Sequence, residues 1–138
     1  MSVEQILADA RRWHRQAADD LEAARVLLAG AKFAQAGFYA QQAAEKALKA
    51  IWIAIDEEPW GHSAARLVRE LPDEAAKAEF TADLDGALAL DKLYIPTRYP
   101  DAFADLIPGD AYTQGEAQTA IDHAARIVSH TAKWLAAR

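Results

Sequence analysis

Apolar residues recur every three or four positions along almost the whole chain, the spacing that lines one face of an α-helix. The first run passes through Ile6, Ala10, Trp13, Ala17, Leu21, Ala24 and Leu28. Ser2 with Gln5 makes a capping box in front of it, so a helix is predicted over residues 3–29, ended by Gly30. A second run, through Phe38, Ala43, Ala47, Ala50, Ile51 and Ala54, predicts a helix over 33–56 stopped by Pro59 and Gly61. A short helix over 63–71 ends before Pro72, and a long one over 74–92 carries Phe80, Leu84 and Leu88. Pro96, Pro100 and Pro108 keep residues 95–112 mostly irregular. Thr113 and Glu116 form a second capping box, opening a helix over 114–136 with Ala117, Ile121, Ala124, Val128, Thr131 and Leu135 on its apolar face. No stretch alternates as a strand. The pattern is that of an all-α, up-and-down bundle of four long helices plus one short helix, with an irregular proline-rich loop before the last helix. Residues 1–138 are expected to form a single domain.

Composition narrows the function classes. The chain has no cysteine, which excludes a disulfide framework and a thiolate metal site and fits a reducing cytoplasm. The N-terminal stretch MSVEQILADARRWHRQ is charged and amphipathic, without the apolar core of a signal peptide. No apolar run approaches the roughly 18 residues that span a bilayer, so no membrane role is expected. A net charge of −6 argues against diffuse binding to nucleic acid but leaves room for a local basic site. Trp13, Phe33, Phe38, Trp52, Trp60 and Trp134 are many bulky groups for a core lined with alanine. Either the core houses them or a second copy of the chain covers some.

Candidate chemistry is sparse. In AQQAAEKALKA, residues 40–50, Gln42, Lys46 and Lys49 fall at i, i+4 and i+7 on one helix face, and Glu45 can pair with Lys49. That face is either solvated surface or an anion-facing stripe of two lysines and an amide. The RRWHR cluster at 11–15 reads as solvated surface, with Asp19 and Asp20 near enough to neutralise it. His123 and His130 share a side of the last helix with Arg126 between them, but no third ligand follows at zinc-binding spacing, so no metal is expected. His62, between Gly61 and Ser63, reads as a capping or packing residue at a helix start. No glycine-rich phosphate loop or nucleophile elbow is present, and no cofactor is predicted.

The AQQAAEKALKA helix, the GH of the following turn, and YIPTRYPDAF (residues 94–103) before a final amphipathic helix together resemble the HEPN family, the higher eukaryote and prokaryote nucleotide-binding domains. The resemblance runs from about Ala17 to Leu135. It implies a helical bundle that pairs as a homodimer, often partnered by a small nucleotidyltransferase in a toxin–antitoxin module. Some members are metal-independent ribonucleases, whose arginine is followed after four to six residues by a histidine. There the histidine moves protons at the ribose 2′-hydroxyl while the arginine holds the scissile phosphate. Carried onto this chain, Arg98 would need a histidine at 103, 104 or 105, where Phe103, Ala104 and Asp105 stand. Arg126 reaches His130 with only three residues between. The ribonuclease pattern is therefore incomplete, and no catalytic residue is assigned.

Arg98 remains the most pointed feature. Pro96 and Pro100 restrict its backbone, which lowers the entropy lost on gripping an anion. Tyr94 and Tyr99 stand ready to stack on a base or donate to phosphate. The plain alternative is that Arg98 pairs with Asp101 or Asp91 and staples the loop to the bundle while the tyrosines pack. Three functions stay open. One is a nucleotide- or RNA-binding module using Arg98, Tyr94, Tyr99, Gln42, Lys46 and Lys49. Another is a ribonuclease with a departed site, its base His62 or His130 (or His123). The third is a purely structural dimerisation domain.

Overall fold

Both capping boxes close as the sequence predicts. In the computed structural model, which describes residues 1–138, Gln5 N donates to Ser2 Oγ at 3.1 Å while Ser2 N donates to Gln5 Oε1 at 2.9 Å, opening α1 (Val3–Ala29). There follow α2 (Phe33–Ala54), α3 (Ala64–Arg69), α4 (Glu74–Phe80), α5 (Leu84–Asp91), α6 (Pro108–Ala111) and α7 (Gln114–Ala136). Glu116 N donating to Thr113 Oγ1 at 3.1 Å opens the last of these. The structure is all-helical, with no strand, and no helix is long and apolar enough to cross a membrane.

Alanine sets the geometry of the α1–α2 hairpin. Ala10, Ala17 and Ala24, seven residues apart on α1, are completely buried, as are Ala36, Ala40, Ala43, Ala44, Ala47 and Ala50 on α2. With nothing beyond Cβ at these positions, the helices lie close along their length. The central helix, α2, also packs against α7, α3, α5 and α6. The large core groups Phe80, Leu48, Ile51, Leu67, Leu90, Ile121 and Ile127 fill the space where those helices converge.

Several boundaries differ from the sequence reading, each for a visible reason. Gly30 does not supply the left-handed residue that ends α1, since its φ is −86°. Ala31 does, at φ 59°, with Lys32 N donating to Leu27 O at 2.8 Å and Ala31 N to Leu28 O at 3.0 Å. Likewise α2 stops at Ala54 rather than residue 56, because Asp56 turns left-handed at φ 60° and Glu57 N caps Trp52 O at 3.0 Å. The predicted long helix over 74–92 is two short ones joined by a 3₁₀ turn at Thr81–Asp83. Thr81 Oγ1 donates back to Lys77 O at 2.7 Å, and Asp83 is drawn to His130 Nδ1 at 2.6 Å, which together tighten the chain there. The stretch over 95–112 is mostly irregular, broken by a 3₁₀ turn at Pro100–Ala102 and by α6, each with proline at a first helical position.

Most of the bulky aromatics find room within one chain. Trp52 is buried and donates Nε1 to Leu67 O at 2.9 Å, bolting α3 to α2. Trp134 is buried edge-on against Phe80, their centroids 6.1 Å apart. Trp13, Phe33 and Phe38 are half-buried, and Trp60 stands 51% exposed.

The strained stop of α1 generates a prediction. A residue with a Cβ is disfavoured at φ 59°, so Ala31→Gly should stabilise the protein by about 0.5 kcal/mol after the greater freedom of glycine in the unfolded chain is subtracted. Thermal unfolding should show a midpoint higher by about 2 °C. A midpoint that falls would mean that Ala31 is not strained.

Candidate anion-binding site

The loop after α5 begins as a series of tight turns that fold Arg98 back over its own backbone. Thr97, buried, donates its hydroxyl to Leu93 O, and Arg98 N donates to Ile95 O at 3.0 Å. Arg98 Nε then donates to Tyr94 O at 2.9 Å. This places the guanidinium carbon 4.5 Å from the Tyr94 ring centroid, 4.6 Å from Phe38 on α2 and 5.2 Å from Tyr99. Three rings surround one cation, each attracting it through its electron-rich face.

No carboxylate pairs with Arg98. The staple through Asp91 or Asp101 is therefore not the one observed. Asp91 is spent elsewhere, accepting from Ser63 Oγ at 2.6 Å, Ala64 N at 2.8 Å and Ala65 N at 3.0 Å, so it holds the start of α3. The loop is tied to α2 by the guanidinium on Phe38 instead. The side chain of Arg98 is exposed, and its two terminal amino groups make no hydrogen bond to the protein.

His62 joins this cluster from the turn between α2 and α3. Its ring stacks on Tyr94 at 5.1 Å and 14°, so one tyrosine ring serves both the imidazole and the guanidinium. Gln41, fully buried on α2, donates Nε2 to His62 O at 3.0 Å and fixes the backbone there. Glu45, one turn along, points its buried carboxylate at the same residue, with His62 Nδ1 3.5 Å from Glu45 Oε1. That oxygen is buried without a full hydrogen bond, so an Nδ1–H on His62 is the donor positioned to answer it.

The stripe of α2 divides. Lys49 Nζ sits 3.2 Å from Glu45 Oε2 and 5.9 Å from the centroid of the Trp13 ring. Lys46 pairs with the buried Asp20, which also accepts from Gln16 Nε2 at 2.9 Å, and it lines a depression between α1 and α2 with Arg12, Trp13 and Gln16. Gln42 Nε2 donates to Gln41 Oε1 at 2.8 Å. All three polar groups have intramolecular partners, whereas Arg98 keeps donors free. Phe38, which sequence reasoning assigned to packing, precedes Gln42 by one turn and extends the same face to Arg98; its i−4 spacing was the available signal.

The remaining histidines lie in other surroundings. His130 faces carboxylates on both sides, Asp83 at 2.6 Å from Nδ1 and Glu79 at 3.0 Å from Nε2, and tethers α7 to the α4–α5 turn. Arg126 Nη2 donates to His123 Nδ1 at 2.7 Å. Burial and the Arg126 cation hold the His123 pKa below the ordinary value against the opposing pull of Asp122. His14 is also lowered, by burial, against its hydrogen bond to Val128 O at 3.0 Å. No group of three or more histidine and acidic side chains is placed to hold a metal ion.

The family model described as HEPN domain matches residues 10–134. The chain is similar to TT1696 from Thermus thermophilus, at 40% identity over 90% of this chain and 96% of that one, with a TM-score of 0.84. It is also similar to ST0689, an archaeal HEPN homologue, at 34% identity over 91% and 97% of the two chains, TM-score 0.75. An HEPN domain protein from Thermotoga maritima matches at 30% identity over 91% and 98%, TM-score 0.70. No curated protein is a significant match.

The contact between Glu45 and His62 is open to direct measurement. Nitrogen-15 NMR on neutral His62 should show the proton on Nδ1, and Glu45→Ala should return the ring to the Nε2–H form that an unconstrained histidine prefers. A neutral ring already protonated on Nε2 in the unaltered protein would show that Glu45 does not orient it.

Proposed function

Because the chain belongs to the HEPN domain family, we propose that it binds the phosphate of a nucleotide or of an RNA backbone at Arg98, with Tyr94 holding the guanidinium and the exposed Tyr99 offering a surface to the attached base. The observation that carries this reading is an exposed guanidinium, held in place by three rings and one carbonyl, with free donors and no carboxylate. A planar fork with its stem already immobilised loses little entropy on meeting a phosphate, and it can bond two oxygens at once. His62 on the Tyr94 ring adds a polar group beside it. Binding of this kind is local, weak and salt-sensitive, which is compatible with a net charge of −6.

The reading extends to assembly. Ile95, Leu106 and Ile107, all on the site loop, are each about half exposed, between 50% and 57%. A second copy of the chain would cover such an apolar surface, which favours the homodimer that the resemblance implies. Pairing with a nucleotidyltransferase in a toxin–antitoxin module rests on the resemblance alone. One observation favours a second reading, a metal-independent ribonuclease: His62 and Arg98, 36 positions apart, both pack on the Tyr94 ring, so His62 is the candidate base for an arginine whose local sequence lacks one.

Arg98→Ala is the deciding variant. Calorimetric titration with a nucleoside monophosphate at low salt should show affinity reduced about tenfold, the loss of one charge-assisted pair, while stability changes by no more than about 1 kcal/mol. Unchanged affinity would remove Arg98 from the site. The unaltered protein is expected to leave RNA intact without metal; cleavage that His62→Ala abolishes would establish the second reading instead.

Assembly is tested separately. Sedimentation equilibrium at micromolar concentration should give twice the 15.1 kDa chain mass, and Ile107→Asp should shift the population to monomer. A species of single-chain mass in the unaltered protein would end the dimer reading.

A further inference from the structure

The outer face of α1 carries charges that the fold leaves unused. Asp19 and Asp20 do not neutralise the RRWHR cluster within the chain. Asp20 is buried and held by Lys46, and Arg12 pairs instead with Asp9 at 2.8 Å, its own side chain still 68% exposed. Arg15, Asp19 and Glu22 are exposed and make no ion pair. Arg15 and Asp19 stand one turn apart with the cation first, the order that favours pairing along a helix less.

These charges are ordered. Ala8, Arg12, Arg15, Asp19, Glu22 and Val26 are all exposed and follow at alternating spacings of four and three, so they form one stripe along the helix. The stripe is about 27 Å long, and Arg25 falls outside it. It reads apolar, two cations, two anions, apolar. Turned end for end about the point midway between Arg15 and Asp19, its spacing is unchanged and every charge meets its opposite. Arg15 then faces Asp19, Arg12 faces Glu22 and Ala8 faces Val26, each in both directions. The surface beside it suits the same exchange. The acidic half borders a depression of about 670 Å³ walled by Ala23, Val26, Leu27 and Tyr39. An arginine from another molecule can lay its apolar stem along that wall and its charged tip on Asp19 or Glu22.

We infer that the outer stripe of α1 docks on the same stripe of a second copy, the two helices antiparallel across a two-fold axis midway between Arg15 and Asp19. A two-fold axis makes one patch serve as both halves of the contact, and only a self-complementary patch satisfies it. Parallel helices would set like charge on like and are disfavoured. Exposed ion pairs contribute little each, and the chain's net charge of −6 repels a second copy at a distance, so the contact is weak and short-ranged. The stripe shares no residue with the apolar loop of Ile95, Leu106 and Ile107. Pairing there is therefore additional to pairing through the loop and joins two such dimers into a tetramer.

The test is sedimentation equilibrium of the unaltered protein and of Ile107→Asp, each at micromolar and at several hundred micromolar concentration. Each should double in mass over that range at physiological ionic strength, and high salt should suppress the doubling. In the Ile107→Asp chain, Arg12→Glu with Arg15→Glu makes the whole stripe acidic, and Asp19→Arg with Glu22→Arg makes it basic. Neither altered chain should double alone, whereas their equimolar mixture should. A chain carrying all four reversals restores the complementary order and should double by itself. A mass that does not rise with concentration means that another molecule, or none, covers the stripe, and overturns the inference. So does doubling that survives either pair of reversals, or a mixture that fails to double.

Discussion

Close packing of alanine against alanine between α1 and α2 is the constraint on which the other features depend. It draws α2 into the middle of the bundle, where it is covered by α1 and α7 along its length and by α3, α5 and α6 at its flanks. On its enclosed faces such a helix cannot send polar side chains to water. Gln41 and Glu45 are buried on it, and besides Gln42 and Lys49 on α2 itself each takes a partner from outside the helix, the His62 backbone and ring. The candidate site forms where the enclosure of α2 opens, at Phe38 and the turn after the helix. Its geometry therefore follows from the packing of the bundle and not from a motif placed upon it.

The helical framework was legible because it rests on local signals. Capping boxes at Ser2 and Thr113, a period of three to four residues, and prolines at 96, 100 and 108 act within a few positions of themselves. Where the reading missed, a distant partner had intervened. The helix expected over 74–92 tightens at Thr81–Asp83 in part because His130, 47 residues on, holds Asp83. Gly30 looked like the natural stop for α1, yet the hydrogen bonds that end the helix require the left-handed residue one position later, where alanine stands. Propensity marks a region; the bonding pattern picks the residue.

The site shows the same division. Arg98, Tyr94 and Tyr99 were visible because they sit close together around Pro96 and Pro100. Phe38 was not, and His62 was visible only as a candidate base in the following turn, since the contacts that bring them to the cluster, Phe38 to Arg98 and His62 to Tyr94, cross 60 and 32 positions of sequence. The lysines of α2 show the opposite case. A one-helix projection pairs Lys49 with Glu45 but leaves Lys46 on an open face, because it cannot show that Asp20 of α1 is in place to receive it. A cation is available to a ligand only when nothing in the fold has claimed it, and that is a property of the assembled molecule.

Asp91 has a consequence for how this region moves. A helix of six residues such as α3 has too few hydrogen bonds to stand by itself, so its persistence depends on Trp52 gripping Leu67 O and on the carboxylate at its start. That carboxylate belongs to the last turn of α5, and the site loop departs from the same turn. The hinge of the loop and the latch of α3 are thus one residue. The His62 turn and the Arg98 loop form a cooperative unit whose amides would exchange with solvent together, slower than a free loop and faster than α2.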